Sequence, residues 1–251
     1  IKAVEMNVRR LPGTALKNSV TGEIVYTPPE GETLLRDLLA NWERFLHEAN
    51  DLDPLIRMAV GHYQFEAIHP FPDGNGRTGR ALNILYLIDK QLLDMPILYL
   101  SQYINTNRET YDKLLRGVTA KAEWEAWVLF MLDAVEQTAK WTTEKILAIE
   151  SLMDDTARYI KTTHPIVYSH ELVELLFVQP YCRVTDLVQN NITSRNTASR
   201  YLRELAGDKV LQTRKEGREI LYINTKFMDL LKMDKHEFVP YPSAATAGHT
   251  T

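Results

Sequence analysis

Apolar side chains along this 251-residue chain recur in two rhythms, and the change from one to the other divides it. In residues 32–50, Leu34, Leu35, Leu38, Leu39, Trp42, Phe45 and Leu46 fall three and four apart, which predicts an amphipathic helix. Pro54 suits the first turn of a second helix carrying Leu55, Ile56, Ala59, Tyr63 and Phe65. Residues 78–90 are apolar almost throughout and read as a buried helix; after Pro96 another helical stretch begins near Asn105. Residues 123–162 keep helical spacing almost without a breaker, as two helices or one long one. Residues 1–31 look irregular: Thr21-Gly22-Glu23 and Pro28-Pro29-Glu30-Gly31 flank a short strand candidate, Ile24-Val25-Tyr26, able to form a hairpin with Ala15-Leu16.

The helical pattern ends at His164-Pro165. Short helices are predicted over 171–177 and 184–189, and Thr193 or Ser194 can cap a third that reaches Leu205. Val210-Leu211-Gln212-Thr213, a turn at Gly217, and Glu219-Ile220-Leu221-Tyr222-Ile223 then alternate like a β-hairpin. Three helices followed by a hairpin resemble a winged helix-turn-helix. Residues after His236 carry little to bury and read as a loose tail. The expected domains are an N-terminal segment (1–31), a helical domain (32–163), the winged helix-turn-helix (164–232) and the tail (233–251).

Composition changes this picture little. A net charge of −4 gives no global pull toward nucleic acid or anionic membrane, so any such binding must come from a local patch. One patch exists: from Arg183 to Glu219, eight basic residues face five acidic ones. A basic recognition helix and wing would be how that unit grips DNA. The single cysteine, Cys182, cannot form an internal disulfide, and no Cys/His cluster has zinc spacing. The apolar runs are too short to span a bilayer and no cleavable signal pattern opens the chain, so a cytoplasmic location is expected. A first residue of Ile1 rather than Met suggests that residues precede it.

The chemistry is concentrated in His69-Pro70-Phe71-Pro72-Asp73-Gly74-Asn75-Gly76-Arg77-Thr78-Gly79-Arg80. A histidine near its ordinary pKa of about 6.5 can take a proton from a Ser, Thr or Tyr hydroxyl at neutral pH. Asp73 is a lone carboxylate, which suits magnesium arriving with phosphates better than a free-standing metal site. Gly74-Asn75-Gly76 can turn several backbone N–H groups toward one anion, and a helix N-terminus beyond it adds partial positive charge. Arg77 and Arg80, three apart on that helix, offer forks that match phosphate oxygens. Phe71 has no chemistry to offer and reads as an anchor for the loop. Gly74-x-Gly76-x-x-Gly79 formally satisfies the dinucleotide fingerprint, but helix and two prolines precede it where a strand is required, which excludes a Rossmann site.

The run resembles, at every defined position, the Fic family signature His-x-Phe-x-(Asp/Glu)-Gly-Asn-Gly-Arg-x-x-Arg. The resemblance covers roughly residues 10–140. It implies a mainly α fold: a Fic-type helical bundle with a small β-hairpin flap, here followed by the winged helix-turn-helix (α+β) domain. It implies a protein adenylyltransferase that moves AMP from Mg-ATP to a hydroxyl of a target protein, or of itself, releasing pyrophosphate. In that family's scheme His69 activates the hydroxyl and Asp73 holds Mg2+ on the α- and β-phosphates. Gly74, Asn75, Gly76 and Arg77 cradle the phosphates, and Arg80 engages the γ-phosphate. Ile24, Val25, Tyr26 and Thr27 fall where the family's flap docks the target by strand addition. Asn105, Asn107 and Tyr111 fall on its nucleotide-side wall, as candidates for adenine or ribose contacts. Many members carry an inhibitory helix, (Ser/Thr)-x-x-x-Glu-(Gly/Asn); Glu30-Gly31 and Glu216-Gly217 lack the Ser or Thr, so that helix is expected upstream of Ile1 or on a partner. The rival readings are a DNA-binding regulator whose Fic unit senses nucleotide, and a Fic enzyme that transfers another nucleotide or removes AMP.

Overall fold

The structure, a computed structural model, describes residues 7–10, 13–17, 22, 24–48, 51–217 and 219–242. Thr21, Glu23, Arg218 and residues 243–251 of the expected tail lie outside the described residues, as does the side chain of Val25. Two compact units form, Ile1–Thr142 and Thr143–Thr251. Among the described residues no helix is long and apolar enough to cross a membrane.

In the first unit a two-stranded pair, β1 (Leu16–Lys17) and β2 (Ile24–Tyr26), runs antiparallel ahead of the helices. Helix α1 (Glu32–Glu48) buries Leu35 and Leu46. Helix α2 (Pro54–Ile68) starts where the sequence placed it: Asp53 accepts the Leu55 N–H at 2.8 Å, and Pro54 sits in the first turn, where its missing N–H costs nothing. Eight of its residues are buried, so α2 is the axis of the unit. Gly61 lets α1 come close, since a Cβ there would stand 2.6 Å from a Leu46 methyl, and the Trp42 indole donates to the Gly61 carbonyl at 2.8 Å. From the other side, fully buried Trp127 donates to the Ala59 carbonyl at 2.8 Å. Around it gather Met58, Leu87, Leu100, Ile104 and Met131.

Two boundaries differ from the sequence reading, and one open alternative is decided. Helix α3 (Asn75–Asp89) begins three residues earlier than position 78, because Asn75 folds back onto the loop and orders the first turn. The stretch expected to start near Asn105 is two helices, α4 (Leu100–Thr106) and α5 (Arg108–Lys121). They break at Asn107, whose side-chain amide donates to the Tyr103 carbonyl and competes with the helical ladder. Residues 123–162 form one helix, α6 (Trp124–Thr163).

The second unit contains α7 (His170–Val178), β3 (Tyr181–Cys182), α8 (Val184–Gln189), α9 (Arg195–Gly207), β4 (Gln212–Glu216), β5 (Glu219–Ile223) and α10 (Thr225–Lys232). The strands make an antiparallel sheet in the order β3-β5-β4. Leu172, Leu176, Leu187, Leu202, Leu205 and Tyr222 fill its core. The sequence reading missed β3 and α10. It also has to be corrected on the tail. Tyr241 stacks on Tyr159 at 4.6 Å between centroids and donates its N–H to Asp155 at 2.7 Å, and Phe238 packs beside Phe227 and Leu230. These contacts, with Lys145 donating to the Met233 and Lys235 carbonyls, hold the chain as far as Tyr241.

Candidate active site

Helices α2 and α3 meet head to tail across the signature loop. His69 ends α2 in the left-handed conformation (φ 49°), with its N–H on the Phe65 carbonyl at 3.0 Å. A buried arginine that the sequence reading overlooked fixes this turn. Arg9 donates from Nε to the His69 carbonyl (2.6 Å) and from Nη2 to the carbonyls of Pro29 (2.5 Å) and Ile68 (3.2 Å). Its backbone N–H reaches the Pro70 carbonyl at 2.9 Å. The His69 imidazole is half-buried, and burial lowers its pKa from the ordinary histidine value, opposed in part by the nearby Glu66 carbonyl. Nδ1 is buried without a partner of hydrogen-bonding geometry. The ring is therefore neutral at physiological pH and able to accept a proton.

The loop closes on itself through Asn75. Its side-chain oxygen accepts the Phe71 N–H and its amide donates to the Phe71 carbonyl, both at 2.8 Å. Phe71 is half-buried against Phe65, with 6.2 Å between ring centroids, in keeping with an anchoring role. Gly74 takes a left-handed turn (φ 80°) as N-cap of α3, and its N–H is committed to the Asp73 carboxylate at 2.6 Å. The first-turn N–H groups of Asn75, Gly76 and Arg77 have no acceptor within the helix, which makes them, rather than Gly74, the anion-facing donors.

Asp73 and Arg77 are both largely exposed and paired at 3.3 Å. Arg80 points the other way: its Nε donates to Ser101 Oγ of α4 at 2.9 Å, and Nη1 lies 3.1 Å from where a Gly76 Cβ would be. The structure thus gathers His69, Asp73, Gly74, Asn75, Gly76, Arg77 and Arg80 around one loop and helix start. Tyr26 Oη donates to the Ala67 carbonyl at 2.8 Å, tying β2 to the end of α2, while Ile24 and Thr27 are exposed. Asn105 is exposed on α4 and Asn107 is bonded to Tyr103. Tyr111 is not brought to the open side: it is 3% exposed, in the core, with its hydroxyl 2.9 Å from His62 Nε2.

Beneath α3 lies a second group of ionisable side chains that the sequence reading did not name. His62 is buried, and burial pushes its pKa down to about 3. One turn later, burial raises Glu66 to about 7. A Cβ on Gly79 would stand 2.8 Å from Glu66 Oε1 and 3.2 Å from both His62 and Phe65, so any larger residue there would make these side chains shift.

Residues 5–87 match the Fic/DOC family, and residues 152–227 match the C-terminal domain of SoFic-like protein adenylyltransferases. The chain's relatives are named protein adenylyltransferases, which are nucleotidyltransferases. A probable one from Aquifex aeolicus (strain VF5) is 35% identical over 97 residues, covering 36% of this chain and 29% of the relative. That of Caenorhabditis briggsae is 41% identical over 59 residues (23% and 11%). The Drosophila melanogaster protein adenylyltransferase Fic is 30% identical over 123 residues (47% and 24%). The chain thus spans less than a third of the length of each. A solved Fic family protein from Desulfovibrio desulfuricans G20 aligns at 21% identity with a TM-score of 0.45, covering 83% of this chain and 59% of that one.

Proposed function

We propose that the chain is a protein adenylyltransferase, moving AMP from Mg-ATP to a Ser, Thr or Tyr hydroxyl of a target protein or of itself. The observation that carries the reading is the joint geometry of a neutral, Arg9-anchored His69 and a helix N-terminus flanked by Arg77 and Arg80. The hydroxyl oxygen bonds to the α-phosphorus, the bond to the bridging oxygen of the β-phosphate breaks, and pyrophosphate leaves. His69 takes the hydroxyl proton. The first-turn N–H groups of α3 and the two arginine forks stabilise charge on the phosphates, where most of the rate acceleration in such transfers originates.

The residues fit magnesium carried by the nucleotide. Among the described residues no group of three or more His, Cys, Asp or Glu could hold an ion unaided, whereas Asp73 offers one exposed carboxylate at the phosphate-facing helix start. Bound there, the ion would neutralise phosphate charge. Asn105 and Asn107 are our candidates for the adenine or ribose side, and Ile24 to Thr27 for docking the target segment as an added strand.

We read α7, α8 and α9 with the β3-β5-β4 sheet as a winged helix-turn-helix accessory to the enzyme. Arg195, Arg200 and Arg203 of α9 and Arg214 and Lys215 of β4 are all exposed. Glu204 and Glu216 pair with two of these five, so the surface favours an accessory role over a DNA-binding regulator.

The test is incubation with magnesium and ATP labelled on the α-phosphate, with a cell lysate, beside the His69→Ala variant. Label should appear on protein only with His69 intact, while ATP binding changes little. Equal labelling by the variant would remove His69 as base. No labelling despite ATP binding would favour the nucleotide-sensing regulator or a different transferred group.

A further inference from the structure

Glu66 has no role in the reaction as described, yet its position is hard to explain as packing. Its Oε1 is buried without a hydrogen-bond partner, a condition native structures rarely tolerate at a carboxyl. That oxygen and Arg80 Nη1 lie 3.7 Å and 3.1 Å from the point a Gly76 Cβ would occupy. The absence of side chains at Gly76 and Gly79 leaves room beside both groups. Among the described residues Arg80 is bonded through Nε, to Ser101, and its Nη groups can turn toward a phosphate or toward the carboxyl.

Resting on the adenylyltransferase reading, we propose that Glu66 belongs to the nucleotide site and acts on it through Arg80. Neutral, it leaves the guanidinium to the terminal phosphate; ionised, it competes for the same Nη groups. Triphosphate binding is thereby coupled to uptake of a proton at Glu66. The groups around the carboxyl permit this balance. Arg80 of α3 and Arg108 of α5 favour the anion, Asp112 of α5 opposes it, and His62 of α2 and Tyr111 of α5 are buried and uncharged at neutral pH. Burial outweighs the two arginines, so the side chain gains and loses its proton near pH 7, where a polyanion arriving at Arg80 tips it to the neutral form.

Isothermal titration of the whole chain with Mg-ATP, in two buffers of different ionisation enthalpy, counts the protons taken up. At about pH 7.5, a rise of about one unit at Glu66 corresponds to uptake of about half a proton per ATP. His69 is the same in wild type and in Glu66→Gln, so the difference between the two isolates Glu66. In Glu66→Gln that uptake should vanish. The variant should bind ATP as wild type does at about pH 6 and up to about tenfold more tightly at about pH 9. A residue that only supported the fold would weaken binding at every pH. Equal uptake by wild type and variant, or weaker binding by the variant throughout, would overturn the assignment of Glu66 and leave the adenylyltransferase reading intact. If Glu66→Gln does not fold, wild-type uptake decides alone: none beyond that of Mg-ATP itself refutes the coupling. Wild type that binds no ATP at all would refute the adenylyltransferase reading and this one with it.

Discussion

Replacing Arg9 by methionine tests whether the turn at His69 is held from outside the signature. The substitution keeps most of the aliphatic stem and removes the guanidinium, while the backbone bond from residue 9 to Pro70 survives. Three bonds to the carbonyls of Pro29, Ile68 and His69 are lost. Hydrogen bonds from a charged donor contribute about 1.5–3 kcal/mol each, but the guanidinium was desolvated to make them, and that cost is recovered. The net expectation is a loss of about 2–4 kcal/mol, read by urea denaturation with tryptophan fluorescence. Freed of Arg9, His69 should wander from its place at the end of α2; misplacing a catalytic group by about 1 Å costs about 10²-fold. Transfer of AMP should therefore fall by that order under conditions where both proteins are fully folded, with ATP affinity nearly unchanged. Stability within about 0.5 kcal/mol of wild type would refute the clamp. A stability loss with full transfer per folded molecule would make Arg9 a fold residue only.

Two further outcomes follow from the site. Because burial lowers the His69 pKa and the neutral ring is the base, transfer at saturating Mg-ATP should be flat on the alkaline side of about pH 6.5 and fall only in more acid solution, as the imidazole protonates. A rate that rose as the pH dropped through that range would contradict a base role. Gly79→Ala should gain about 1 kcal/mol of helix propensity but lose about 1–3 kcal/mol to overpacking against Glu66, His62 and Phe65. A lowered urea midpoint is the expected net result, and a raised one would mean that α2 and α3 can part freely.

How much was legible depended on how local each cause was. Pro54 announced α2, and the twelve-residue run announced most of the candidate site, because the loop, the helix start and the candidate base are written there side by side. Arg9 was invisible, since its partners are main-chain carbonyls 20 to 60 residues away and carbonyls leave no mark in a sequence. His62 and Glu66 left a mark that went unread: two ionisable residues four apart on a helix whose neighbours Met58, Ala59 and Phe65 are all apolar. That spacing puts both on one face, and a buried pair of that kind is a candidate for function. Tyr111 was placed on the wall from its position in the chain alone, whereas the break at Asn107 sets α5 so that the ring turns inward onto His62. Tyr241 stayed hidden because its partner Tyr159 lies 82 positions earlier.

The bracket that Asn75 forms around Phe71 also governs how the protein ages. An asparagine followed by glycine readily cyclises and sheds its amide in a loose chain, since a glycine nitrogen is unhindered, and Asn75-Gly76 is such a pair. Here the amide is buried and bonded on both sides, and the Gly76 nitrogen sits in the first turn of α3. The reaction must wait for the loop to open. Each opening is then a chance of permanent damage, because the aspartate left behind cannot donate to the Phe71 carbonyl and the bracket cannot re-form. The working life of the site is thereby set by how often one loop comes undone.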